Sequence, residues 1–152
     1  MSGTVLEAEV KQSLDRSELA FSQGQPAYFE EFATDAVIFT ADSPDPIRGR
    51  EAYRQRYEAA LCAHGREKTI LDRKVQIVGD KAVVTQKARI EQADAAATVS
   101  QTMVYGITNE GLKVLHSQTS LLTPEVNDGQ KPTVKVINER IATMAAIVGV
   151  AQ

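Results

Sequence analysis

Cysteine occurs once in this chain of 152 residues, as Cys62, so no internal disulfide can form and a reducing compartment suits it. Histidine occurs twice, as His64 and His116, without the ligand spacing of a zinc site. There is no glycine-rich phosphate loop, and no serine stands in a nucleophile elbow. No apolar run approaches the roughly 20 residues a membrane span needs. Glu7, Glu9, Lys11 and Asp15 interrupt the region where a signal peptide would be apolar. The formal net charge is -3, without the basic footprint of a nucleic-acid binder. These absences predict a cytoplasmic chain with no metal, no cofactor, and neither nucleic acid nor membrane as partner.

What is present reads as one folded domain. The hydrophobic share is 43% and the charged share 24%, both ordinary for a globular protein. Val5, Leu6, Val10, Leu14, Leu19 and Phe21 recur at helical spacing and predict a helix over 4–23. Gly24 ends it, and Pro26 opens a shorter helix through Phe32, with Tyr28, Phe29 and Phe32 turned to a core. Val37 to Phe39 is a short strand. The prolines of Asp42-Ser-Pro-Asp-Pro46 then forbid regular structure, and a third helix follows over 51–63 with Tyr53, Tyr57 and Leu61 on one stripe.

After Gly65 the period changes from helix to strand. Strands are expected near 68–78, 81–92, 97–107 and 112–122, with Gly79-Asp80 as a two-residue hairpin turn. Short connections in a row imply an antiparallel meander. The fold class is therefore α+β, with three N-terminal helices packed on a curved antiparallel sheet. The domain spans 1–123, and 124–152 divides into a polar linker and a C-terminal tail helix. Val134, Ile137, Ile141, Met144 and Val148 of that helix share a stripe that suits docking or oligomerisation.

Asp35-Ala-Val-Ile38, Ile47-Arg-Gly49, Ile77-Val-Gly-Asp-Lys-Ala-Val83 and Lys113-Val-Leu-His-Ser-Gln-Thr-Ser120 carry a family likeness. The chain resembles the nuclear transport factor 2-like superfamily, whose cystatin-like cone serves SnoaL-like cyclases, ketosteroid isomerases and the association domain of calcium/calmodulin-dependent protein kinase II. Ile70 to Gly79 and Leu115 to Ser120 look most like that association domain and small bacterial proteins similar to it. The superfamily holds enzymes, transport factors and scaffolds on one frame, so the resemblance implies fold more than chemistry.

Alternation divides each strand between two faces. Lys87, Arg89 and Glu91 share one on the second strand of the meander. Gln101, Met103 and Tyr105 share one on the third, as do Leu112, Val114, His116, Gln118 and Ser120 on the fourth. By resemblance, Arg89 and His116 match pocket-facing positions. The implied ligand site is then lined by Arg89, His116, Gln118, Gln101, Met103 and Tyr105 under a ceiling of Tyr53, Tyr57 and Phe39. Such a conical pocket would take a small carboxylate or an apolar ligand, with Arg89 as the bidentate partner of the acid. Met103 stands where the association domain would have a second arginine.

For an enzyme, His116 and Asp42 are the candidate acid/base groups. The competing structural readings pair Arg89 with Glu91, leave His116 as a wall residue, give Asp42 and Asp45 to turns, and make Cys62 a small apolar filler. Standard ketosteroid isomerase chemistry is not expected, because Thr40 and Ser17 stand where the resemblance would place its carboxylate base and its tyrosine. Two function classes follow: a small-molecule-binding or scaffold protein, and an acid/base isomerase, cyclase or dehydratase. Self-association as a homodimer or larger homo-oligomer is expected through an outer stripe of Ala82, Val84, Ala88 and Ile90, joined by Leu115, Thr119 and Leu121.

Overall fold

The computed structural model describes residues 4–92 and 95–124. Helix α1, Glu7–Gln23, buries Val10, Leu14 and Phe21 on one stripe, and Glu7 and Glu9 complement the partial positive charge of its first turn. It ends on Gly24 at φ 65°, where the amides of Gly24 and Gln25 bond back to the carbonyls of Phe21 and Ala20. These paired bonds satisfy carbonyls that the helix end would leave open. The expected second helix is a 3-10 segment, Pro26–Glu31. Only a short stretch separates the Gly24 cap from the extended Phe32, and 3-10 geometry suits such short pieces.

Strand β1, Phe32–Phe39, begins earlier than expected, and β2, Ile47–Arg48, pairs with it. Helix α2, Arg50–Ala63, buries Tyr53, Tyr57 and Leu61 at spacings of four. The meander consists of β3 (Glu67–Val78), β4 (Lys81–Gln92), β5 (Ala95–Thr108) and β6 (Gly111–Pro124). Its strands lie within a few residues of their predicted places. Gly79 takes φ 60° in the β3–β4 turn and Gly111 φ 99° before β6.

The six-stranded sheet has the order β2-β1-β6-β5-β4-β3. The last four strands are antiparallel in sequence, whereas β1 lies parallel to β6. The sheet is thus mixed, not wholly antiparallel. Two helices and the 3-10 segment cover one face. The expected tail helix lies outside the described residues. Among those residues no helix is long and apolar enough to cross a membrane.

The covered face of β4 carries Ala82, Val84, Ala88 and Ile90, all fully buried. This corrects the expectation that they form an outer, dimer-making stripe. An apolar stripe goes under the helices because that is where it leaves water, and the charged alternate positions must then face out. Thr119 is likewise buried and Leu121 half-buried on the covered side. Cys62, expected as a filler, is exposed. Above the sheet, the Tyr53 ring centroid lies 5.2 Å from Phe29, 5.2 Å from Phe32 and 5.4 Å from Tyr57, with rings edge-on. Such edge contacts each add about 0.5–1.5 kcal/mol beyond area burial.

Candidate functional site

The inner floor of the cone carries a polar chain across four strands. Arg73 of β3 pairs with Glu18 of α1 and donates from Nε to Gln86 Oε1 at 2.9 Å. Gln86 Nε2 donates to Gln101 Oε1 at 2.7 Å, and Gln101 Nε2 donates to Thr119 Oγ1 at 3.3 Å. Each buried amide thereby finds a partner, which a core demands of polar groups. At the α1 end of this chain is a hollow of about 10 Å³, lined by Leu14, Ser17, Glu18, Phe21, Tyr28, Lys68, Gln86 and Met103. That is room for about one water molecule.

Lys68 is the unusual member of this wall. Its Nζ lies 5.4 Å from the centre of the Phe21 ring and carries no hydrogen bond or ion pair among the described residues. Glu18 could have supplied the counter-charge, but Arg73 engages it. Burial lowers the Lys68 amine to about 8, with Arg73 adding to the fall and Glu18 opposing it.

A second cluster lies at the end of β1. Tyr57 of α2 donates to Asp42 Oδ1 at 2.6 Å, and its hydroxyl is 3.2 Å from Thr40 Oγ1. Burial, then the bond to Asp42, pushes the Tyr57 phenol up to about 12. Deeper in, the hydroxyls of Tyr28 and Tyr53 are 3.0 Å apart, and burial holds the Tyr28 phenol well above its ordinary range.

The structure divides the residues that the sequence brought together. Gln101, Met103, Tyr105, Tyr53 and Tyr57 are buried on the inner side. Arg89, His116, Gln118 and Phe39 are on the other face. Arg89 is half-buried and pairs with Glu91, His116 is half-buried with its ring 5.7 Å from Phe39, and Gln118 is exposed. For Arg89 the reason is the apolar stripe beside it. For His116 and Gln118 it is a bulge: Tyr105 pairs with Val114 and Val104 with His116, so Leu115 is extra. One extra residue reverses the alternation, and from there Ser117 and Thr119 point inward instead. Of the two acid/base candidates, Asp42 is held by Tyr57 while His116 belongs to the outer face.

The outer face has its own shallow hollow of about 210 Å³, walled by Asp72, Thr85, Lys87, Ser100 and Thr102 among others. The sequence reading missed Glu18, Lys68, Arg73 and Gln86. Gln86 had a signal, as the one polar side chain in the stripe Ala82, Val84, Ala88, Ile90. Lys68 had none, because both faces of β3 carry charge.

A helix-covered sheet with this strand order, matched over residues 10–124 by the model of the SnoaL-like domain, decides the family. The chain belongs to the SnoaL-like family. Solved structures agree on the fold. A nuclear transport factor 2-like protein of unknown function from Pseudomonas putida superposes with a TM-score of 0.70 at 21% identity, covering 87% of this chain and 100% of that one. A candidate calcium/calmodulin-dependent protein kinase II association domain from Xanthomonas campestris gives 0.64 at 21% identity, covering 83% and 97%. A candidate dehydratase of the same superfamily from Streptomyces avermitilis gives 0.66 at 17%, covering 76% and 95%. At these identities the likeness of this SnoaL-like chain to them is one of fold. No curated protein matches it.

Proposed function

We propose that this SnoaL-like protein binds a small carboxylate in the hollow between α1 and the inner face of the sheet. The observation that carries the reading is Lys68, a half-buried cation on a wall it shares with Ser17 and Gln86. A carboxylate there gains a charge-assisted bond from the amine and a further bond from the Ser17 hydroxyl. Its apolar end meets Leu14, Phe21 and Met103, and Met103 is the flexible side chain that can turn aside to enlarge the space. A cytoplasmic setting and a homodimer complete the proposal.

The test is thermal melting with the smallest monocarboxylates, formate and acetate. A ligand at a hundredfold over its Kd adds about 2.7 kcal/mol, which raises Tm by several degrees. Ser17→Leu, which fills the hollow, is expected to remove the rise. A flat series, or a rise that survives Ser17→Leu, refutes the reading.

The Tyr57–Asp42 bond favours a second reading, an acid/base enzyme with Asp42 as base and Tyr57 as donor. It predicts turnover that Asp42→Asn abolishes and Tyr57→Phe lowers by 10²–10⁴-fold, the range of general acid–base effects. Equal turnover in wild type and Asp42→Asn excludes it.

A further inference from the structure

One register row crosses all six strands on the outer face of the sheet: Arg48, Val37, His116, Val104, Val83 and Gln76. Its four central members are half-buried, and its two polar ends are exposed. Phe39 flanks the row, with its ring 5.7 Å from that of His116. Leu115 flanks it on the other side, with its Cδ1 2.5 Å from where a Gly106 Cβ would stand, so the missing side chain lets it lie flat on the sheet. The chain continues past β6 with 125–152. Its residues 125–132 are mostly polar and rich in breakers, and Val134, Ile137, Ile141, Met144 and Val148 share one helical stripe. We propose that this stripe folds back over the row of its own chain while the chain is single, and that a second copy must displace it to dimerise through the same face.

Length and polarity both fit the segment to the row. Strand β6 ends at Pro124, and the row crosses it at His116, about 26 Å back at the rise of a strand. Fully extended, residues 125–132 span at most about 29 Å, so they return the chain to the row with little slack. The surface they cross carries Thr98, Ser100, Thr102, Gln118 and Ser120, which is polar like the linker itself. A helix over 134–148 is about 21 Å long, and the strand spacing sets Val37 about 14 Å from Val83. The stripe therefore covers the whole apolar part of the row, and its ends reach towards Arg48 and Gln76. Docking there takes two apolar surfaces out of water at once.

The experiment is hydrogen–deuterium exchange of the full chain, read by mass spectrometry on peptides from 134–148 across a dilution series. Well below micromolar concentration these amides are expected to exchange at least about tenfold more slowly in wild type than in Val104→Glu, which puts a charge in the middle of the row. Raising the concentration should speed them as a second copy takes the face. The amides of β3 to β6 are the control for folding and should keep their protection in the variant. Fast exchange of 134–148 in dilute wild type overturns the inference without any variant. So does slow exchange that survives Val104→Glu, which places the segment elsewhere. Protection that rises with concentration overturns it too, because a partner then holds the segment. Protection that concentration leaves unchanged keeps the docking and removes the displacement. None of these outcomes depends on whether a carboxylate binds under α1.

Discussion

Two glycines show how the environment, more than the shortest contact, sets the cost of a side chain. A Cβ on Gly106 would come within 2.5 Å of Leu115 Cδ1, the mobile end of a side chain. A Cβ on Gly24 would meet the backbone carbonyls of Leu61 and His64 at 2.7 and 2.9 Å, at a φ of +65°. Those same two carbonyls accept bonds from Arg66 at 2.9 Å each, so they cannot retreat freely. Gly24→Ala is therefore expected to cost more than about 1 kcal/mol, and more than Gly106→Ala, in urea denaturation. Lys68 supplies a prediction with a definite pH signature. Its folded amine sits at about 8, below the ordinary 10.5, so the protonated form penalises folding. The penalty is complete below pH 8 and fades as pH rises towards 10.5. Lys68→Met is expected to stabilise at pH 7, with a ceiling of about 3 kcal/mol, and the gain should shrink between pH 8 and 10.5. A variant whose stability relative to wild type is independent of pH would contradict the lowered amine.

At the level of elements, periodicity located the four long strands within a few residues, because period-2 runs bounded by turn residues such as Gly79-Asp80 are local signals. The direction each face takes was less legible. On β4 the stripe Ala82, Val84, Ala88, Ile90 carried the answer in its own hydrophobicity, and the resemblance that put Arg89 in a pocket overrode it. On β6 no local signal marks the bulge. Leu115 becomes extra only through its pairing with β5, a long-range contact, and so His116 and Gln118 moved to the outer face. The parallel pairing of β1 with β6 was hidden for the same reason. The bulge can be tested by removing it. Deleting Leu115 joins the register that Val114 sets to the one that His116 sets, so His116 and Gln118 stay on the outer face and Ser117 and Thr119 stay inward. The expected loss stays below about 4 kcal/mol, because the inward set is kept and only the half-buried Leu115 side chain is lost. A deletion variant that no longer folds, measured by thermal melting, would show that Leu115 is not the extra residue of this pairing.

For the whole molecule, covering one face of the sheet leaves the other to be explained. Val37, Phe39, Val83, Val104, Leu115 and His116 are half-buried, and they share that outer face through the pairings of Val37 with His116, Phe39 with Gln118 and Val104 with His116. The same face carries both signs of charge, with Asp72 and Glu91 near Lys87 and Arg89. A two-fold axis through such a surface can set acid against base while burying the apolar group, which an isologous interface requires. The proposed homodimer accordingly uses this face, not the stripe first expected. Light scattering at micromolar concentration should then report twice the 16.5 kDa of one chain. Val104→Glu places a charge in the middle of the interface, since Val104 lies between Val83 on β4 and His116 on β6. It is expected to halve the measured mass while leaving far-ultraviolet circular dichroism unchanged, because the substituted side chain is not in the core. Removing residues 125–152 separates a second route to association: a truncated chain that remains dimeric locates the contact on the sheet, whereas a monomer assigns it to the tail. A wild-type mass of one chain would leave the outer face to solvent and remove the dimer altogether.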